Sequence, residues 1–418
     1  MTSTARRRAH DRLAALAGVR AIRRPVLAGA AGAGCAGDEF DLHYVRAGRK
    51  SARPIVVIPG GPGAASVALY RAFRRKAAHA GLDVIMVEHR GIGLSRQDDD
   101  GRDLPPEAMT VDAAVDDIAA VLDDAGVEAA HIYGASYGTY LAAGFGVRHP
   151  GRVAGMVLDS PLLSADDIAE VRAHVRAVLW DGQPGTEELA AMIRELVARG
   201  DFGPTAVLRA TGLYELAGPD VLRRQLELLV NGHDWLWAAV GLGTRLMLER
   251  ETAFHHEPDL VERIAYRELN YGAEPDGLPL DPAVALREVA LGDPEFAAEP
   301  YDLIAAMPGF SWPTAVLSGG RDLTTPPAVA RRIAGLIPDA TLVDLPTAGH
   351  SMLDTRERAA LRVCRAVSAG ETGELASRAA ELDALPANRS IRLLVRGVEL
   401  AAKAEGVVPD GAPRLATS

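Results

Sequence analysis

Residues 129–150 read AAHIYGASYGTYLAAGFGVRHP, and the reading of this stretch decides the fold. Residues 130–133 form a short run suited to a buried strand, and residues 139–148 predict a helix. Between them Gly134-Ala135-Ser136-Tyr137-Gly138 fits G-x-S-x-G, a serine held on a sharp turn from strand into helix. The reason for the glycines is steric, because a strained turn needs neighbours whose side chains do not press on the backbone. Such a turn aims the hydroxyl outward at the start of a helix. There the N–H of Tyr137 is placed to stabilise a developing oxyanion.

Outward from this stretch the chain alternates strand and helix. Residues 54–59 (PIVVIP) suit a strand buried in a parallel sheet. They run into Gly60-Gly61-Pro62-Gly63, a turn where backbone can approach a ligand closely. Residues 83–87 (DVIMV) predict the next strand, followed by Glu88-His89-Arg90-Gly91-Ile92-Gly93-Leu94-Ser95. Residues 111–126 show helical spacing, with Val115, Ile118, Val121 and Leu122 on one face. Residues 153–158 predict a strand ending at Asp159-Ser160-Pro161. The alternation is that of an α/β fold with a mostly parallel sheet flanked by helices.

From about residue 162 to residue 310 the pattern changes to helices broken by Gly and Pro, with Trp180, Trp235 and Trp237 among them. An insertion of this kind predicts a helical cap over one end of the sheet. The strand and helix alternation resumes with a strand at 313–318, a helix at 328–337 and a strand at 341–345. Gly349-His350 and a helix to about residue 369 follow. The expected parts are a basic N-terminal segment (1–24), a core (25–161 and 311–370), an inserted cap (162–310) and a C-terminal helical extension and tail (371–418). No role is assigned to the extension.

Composition bounds the function. The 418 residues are 48% hydrophobic and 24% charged, ordinary for a globular protein with a sizeable core. A net charge of -11 argues against nucleic acid as a partner. Cys35 and Cys364 have no metal spacing and read as free thiols in a reducing compartment. Arg6, Arg7, Arg8, Arg12, Arg20, Arg23 and Arg24 stand against the single acid Asp11. The apolar run 26–35 that follows faintly resembles an export signal, but it is short and glycine-rich, so a cytoplasmic location is expected. No stretch is long and apolar enough to span a membrane. Gly32-Ala33-Gly34-Cys35-Ala36-Gly37 matches G-x-G-x-x-G, yet residues 38–46 alternate like a strand where a dinucleotide site needs a helix. No cofactor is expected. His89, His131, His149, His233, His255 and His256 fit no metal spacing, so no metal is expected either.

A serine hydroxyl is a poor nucleophile at neutral pH and needs a base, which in turn needs an orienting carboxylate. Where a G-x-S-x-G serine is served this way, the order is Ser, then Asp or Glu, then His, at strand ends. The chain offers Ser136, then Asp322 directly after a predicted strand (residues 314–322, TAVLSGGRD), then His350 after the last one. The interval between Asp322 and His350 holds one helix and one strand. Asp159, also after a strand, is the rival acid.

The loop at Gly60-Gly61-Pro62-Gly63, the Arg90-Gly91-x-Gly93-x-Ser95 segment, the Ser136 elbow and the Asp322/His350 pair together resemble the prolyl iminopeptidase and tripeptidyl aminopeptidase branch of the α/β-hydrolases. The likeness covers roughly residues 40–160 and 310–368. It implies an oxyanion hole from the N–H groups of Gly61 and Tyr137. The family usually has His before the Gly-Gly and Asp-Gln before the Arg-Gly. Here those positions are Pro59 and Glu88-His89, which leave the backbone donors intact. The resemblance also implies an acidic cap residue that receives a substrate's free amino terminus. Glu268, in residues 262–271 (ERIAYRELNY), is the candidate, with Glu262 behind it and an ordinary helix-surface glutamate as the alternative. Trp235, Trp237, Tyr266 and Tyr271 are candidates for a proline-like pocket, the cap's own core being the other reading.

The expected function is a cofactor-independent serine hydrolase that works through an acyl-enzyme. It is expected to act as an aminopeptidase on short peptides or amino-acid amides. The alternatives are an esterase or thioesterase for a small metabolite, and a non-catalytic ligand-binding protein on the same fold. The expected partner is a small-molecule or short-peptide substrate, with no nucleic acid and no membrane. The oligomeric state stays open.

Overall fold

The computed structural model describes residues 3–27, 39–249, 252–290 and 295–406. The glycine-rich run 32–37, Cys35 and the tail 407–418 lie outside the described residues. The strands are β1 (Val19–Pro25), β2 (Glu39–Ala47), β3 (Ile55–Ile58), β4 (Val84–Val87), β5 (Ala130–Ala135), β6 (Val153–Asp159), β7 (Thr314–Gly319) and β8 (Ala340–Leu345). They form an eight-stranded sheet in the order β1-β2-β4-β3-β5-β6-β7-β8. β1 with β2 and β2 with β4 are antiparallel, and every other pair is parallel.

Both faces of the sheet are buried, which is why its parallel strands read as continuous apolar runs rather than alternating ones. The period of two still divides them. Ile132, Met156, Leu158 and Val316 enter one apolar cluster, and Tyr133, Val157, Ala315 and Leu317 enter the other. The first face carries α3 (Val111–Asp124), α4 (Tyr137–Arg148) and α12 (Pro327–Leu336), and the second carries α2 (Arg71–His79) and α13 (Glu357–Ser368). Thr110 caps α3, its side chain accepting from the Ala113 N–H.

Between β6 and β7 lie α5 (Asp167–Arg176), α6 (Glu187–Arg199), α7 (Pro204–Ala217), α8 (Pro219–Val230), α9 (Trp235–Glu249), α10 (Glu262–Leu269) and α11 (Pro282–Val289). Much of this segment has an apolar cluster of its own, built on Leu179, Leu189, Ile193, Leu222 and Leu226. Among the described residues no helix is long and apolar enough to cross a membrane.

One expected boundary shifts. The break after residue 24 falls inside β1, so the basic N-terminus is joined to the sheet. Its arginines face distant acids. Arg24 bonds Asp117 at 2.8 Å, Arg23 bonds Asp99 at 2.6 Å, and Arg6 of α1 (Ser3–Ala14) bonds the buried Glu257 at 2.6 Å. In the extension, α14 (Arg389–Glu405) packs on the cap helices α7, α8 and α9.

Candidate active site

The elbow is built as steric arguments require. Ser136 sits at φ 51° and ψ −124°, between the end of β5 and the start of α4. Gly134 and Gly138 flank it where there is no room for a side chain. A Cβ on Gly134 would overlap the Gly138 carbonyl, and one on Gly138 would overlap the carbonyls of Ile58 and Pro59. The turn therefore rises tightly against the end of β3.

Two further loops bring polar groups to this serine. Ser136 Oγ and His350 Nε2 are 2.9 Å apart, and His350 Nδ1 lies 3.0 and 3.2 Å from the two oxygens of Asp322. The carboxylate leaves one consistent tautomer, in which Nδ1–H donates to Asp322 and Nε2 accepts the Ser136 hydroxyl proton. Asp322 is fully buried and held by its own turn. Its Oδ1 accepts from the N–H groups of Thr324 (3.0 Å) and Thr325 (2.7 Å), and its Oδ2 accepts from the Thr325 hydroxyl (2.9 Å). Burial alone would push this carboxyl up. The His350 charge and hydrogen bonds from His350, Thr325 and Ser160 outweigh burial and hold it below the usual carboxylate range. For His350 burial disfavours the imidazolium, but Asp322, then Glu215 and Asp159, outweigh it and raise the imidazole to about 9.

Asp159, the rival acid, has a different place. It is fully buried and accepts from the Met352 N–H (3.0 Å), the Leu353 N–H (2.9 Å) and the Tyr133 hydroxyl (2.8 Å). Its neighbour Ser160 accepts from the Ser351 N–H at 2.9 Å. The pair thus anchors the backbone directly after His350, and burial pushes the Asp159 carboxyl up to about 6.

The loop proposed for the oxyanion lies beside the serine. A Cβ on Gly60 would stand 3.0 Å from the Ser136 Cβ, and Gly61, at φ 122°, precedes Pro62 through a cis bond. Tyr137 opens α4, so its N–H is one of the donors that a helix start leaves free of intrahelical partners. Its hydroxyl donates to His89 Nε2 at 3.2 Å, and the His89 Nδ1–H donates to the Arg90 carbonyl at 2.7 Å. Both side chains line a small cavity of about 30 Å³ behind the loop, together with Gly60, Pro62, Gly63 and Ile118. The Arg90 of the Arg-Gly segment lies inside the core, with Nε and Nη2 on the two oxygens of Asp117 at 2.7 and 2.8 Å.

The cap candidates are not gathered in one place. Glu268 is buried, its Oε2 accepting from the Val111 N–H at the start of α3 (2.9 Å) and its Oε1 from Arg267 (2.5 Å). Both oxygens are thus committed within the protein, although the charge is close enough to Tyr137 to help push that phenol up, after burial. Glu262 is half-buried, and burial raises its carboxyl. The Tyr266 hydroxyl donates to the Leu286 carbonyl at 3.0 Å, and Tyr266 and Tyr271 stack edge to face. Trp235 is 42% exposed at the start of α9, and Trp237 belongs to the cap's own apolar cluster. Glu215, Thr325, Ser160 and the anchoring role of Asp159 were not singled out from sequence. Asp322-Leu323-Thr324-Thr325 did carry a signal, since an Asp followed by Thr suits a turn in which the carboxylate accepts nearby N–H groups. Among the described residues no group of three or more His, Cys, Asp or Glu is placed to hold a metal ion.

Residues 53–191 match a family model described as alpha/beta hydrolase fold. A proline iminopeptidase of Heyndrickxia coagulans is 30% identical over 112 residues, a match spanning 27% of this chain and 36% of that protein. A probable proline iminopeptidase of Streptomyces coelicolor is 24% identical over 342 residues, covering 81% of this chain and 95% of its own. Among solved structures, the proline iminopeptidase of Mycobacterium smegmatis superposes with a TM-score of 0.50 at 20% identity, covering 84% of this chain and 99% of that one.

Proposed function

We propose that this chain, an α/β-hydrolase by fold with a likeness to the prolyl iminopeptidase branch, is a serine hydrolase that releases residues from the free amino end of peptides or amino-acid amides. The observation that carries the hydrolase part is the hydrogen-bonded line from Ser136 through His350 to Asp322 on a strained elbow. Ser136 Oγ attacks a carbonyl carbon while His350 Nε2 takes its proton. Asp322 keeps the accepting nitrogen pointed at the serine and stabilises the imidazolium. The N–H groups of Gly61 and Tyr137 hold the oxyanion. The imidazolium then protonates the leaving amine, an acyl-enzyme remains, and water activated by the same histidine releases it.

The aminopeptidase part is supported by the similarity to proline iminopeptidases. One observation favours a second reading, an esterase. A protonated amine entering a partly dry pocket needs a negative partner, since an unpaired charge is costly to desolvate. The cap glutamate expected in that place, Glu268, is instead tied to Arg267 and Val111. Turnover of free-amine arylamides beside short-chain aryl esters separates the two. Good ester turnover with no cleavage of any free-amine substrate leaves the esterase. Absence of labelling of Ser136 by a fluorophosphonate removes both readings and leaves a binding protein.

A further inference from the structure

Cap helix α7 ends against the two loops that carry Asp322 and His350. In its last turn Glu215 is half-buried. Its Oε1 accepts from the Leu323 N–H, the Thr324 N–H and the Thr324 hydroxyl, each at 2.9 Å. The Thr324 N–H also reaches Asp322 Oδ1 at 3.0 Å, so two carboxylates share one amide. Leu323, between them in sequence, is 1% exposed and belongs to the cap's apolar cluster with Leu213 and Tyr214. On the other loop Gly349 lies so tightly against α7 that a Cβ there would overlap the backbone carbonyl and Cα of Glu215. The cap is therefore seated on both loops, through an apolar plug, a three-bond carboxylate anchor and a bare glycine contact, two of which involve one residue.

We propose that Glu215 is a positioning residue through which the seating of the cap sets both the geometry and the proton affinity of the His350–Asp322 pair. This rests on the serine-hydrolase reading above. The hydrogen bonds act on geometry, because they fix the backbone on which the Asp322 turn is built. The charge acts on the imidazole. The groups facing that pair are Asp159 from the end of β6, Glu215 from α7 and His174 from α5. Glu215 is among the groups that raise His350 to about 9. Glu215 is itself raised to about 7, by burial first and then by the Asp322 charge. Without this charge the imidazole falls, while Asp322 and Asp159 still hold it up. The free base and the seated cap are thus linked.

The test is the pH dependence of the rate at which a fluorophosphonate labels Ser136 in the full chain, which needs no knowledge of the substrate. Labelling of the wild type tests the underlying reading by itself, and its absence overturns reading and proposal alike. Glu215→Gln keeps an acceptor for the loop and removes the charge. Its acid limb is expected about half a pH unit or more to the acid side, the sign of a lost anion near an imidazole. The variant then labels several-fold faster than wild type on the acid limb and no faster on the plateau, where the two profiles converge. Glu215→Ala removes both functions, shifting the limb likewise and lowering the plateau about tenfold. It repeats the limb test should the Gln variant lack a folded far-UV spectrum. Glu215→Asp keeps the charge and withdraws it from the loop, lowering the plateau with the limb near its wild-type position. A uniform fall at every pH with the limb unmoved in the Gln and Ala variants overturns the proposal and leaves Glu215 as a packing residue.

Discussion

Asp322→Asn separates the two strand-end acids, and the loop itself dictates the outcome. Asp322 Oδ1 faces two donors, the N–H groups of Thr324 at 3.0 Å and Thr325 at 2.7 Å, so the asparagine oxygen has to stay on that side. The new NH2 then takes the place of Oδ2, 3.0 Å from His350 Nδ1. The Thr325 hydroxyl, which donates to Oδ2, can turn and accept instead. The imidazole cannot, because two donors in contact repel. It answers by carrying its proton on Nε2, the nitrogen 2.9 Å from Ser136, which then has no lone pair to receive the serine proton. A tautomer trap of this kind costs about 10⁴-fold in kcat, or about 5.5 kcal/mol at 1.36 kcal/mol per decade. Asp159→Asn is the control. It touches Met352, Leu353 and Tyr133 but not the imidazole, so the folded variant is expected to lose about tenfold from a loosened histidine loop. The assay is initial rates on arylamides and aryl esters, normalised to folded protein. A loss below about a hundredfold in Asp322→Asn, or a larger loss in Asp159→Asn, refutes the assignment of the acid.

Ser136→Ala is expected to abolish fluorophosphonate labelling and lower turnover by about a thousandfold or more with the far-UV spectrum unchanged, and near-wild-type turnover would sink the mechanism. With His350 raised to about 9, the resting imidazole is protonated and unable to act as a base below that value, so kcat/KM is expected to rise from pH 7 to 9; a flat profile across that interval contradicts the charge environment described. Glu268→Gln removes the partner of Arg267 and weakens the acceptor at Val111, so equal losses on amide and ester substrates are expected, with a lower melting midpoint; a loss confined to free-amine substrates would return Glu268 to substrate recognition. Asp117→Ala leaves the buried Arg90 guanidinium without its bidentate partner and is expected to cost about 3 kcal/mol or more, read as a fall in the urea midpoint, while an unchanged midpoint would show that the pair adds little.

The elbow was legible in sequence because the residues that make it are contiguous: apolar residues for β5, two glycines for close contacts, and helix-forming residues after them. Asp322 and His350 were legible because strand ends in a parallel sheet open on the same edge, so order along the chain maps onto proximity. Contacts between side chains far apart in sequence gave no such signal. Arg6, Arg23 and Arg24 read only as part of a basic N-terminal segment, and only the fold shows them facing Glu257, Asp99 and Asp117. Glu268 was recognisable as a cap glutamate, but no periodicity says that its carboxylate meets the first N–H of α3. Glu215 sits among apolar residues at the end of a helix, where its sequence neighbours reveal nothing about the loop it holds.

Three carboxylates lie around one imidazole, and their division of labour follows from what each oxygen touches. Asp322 meets the ring itself, Asp159 fixes the backbone that follows it, and Glu215 fixes the backbone that carries Asp322. The shared negative charge lowers the fraction of free base at neutral pH. It also favours the imidazolium that forms when Ser136 gives up its proton, the charge that develops during the reaction. Only one of the three belongs to the cap. A charge that arrives with the cap strengthens the base once the cap is seated, so the element that covers the site also tunes the chemistry beneath it.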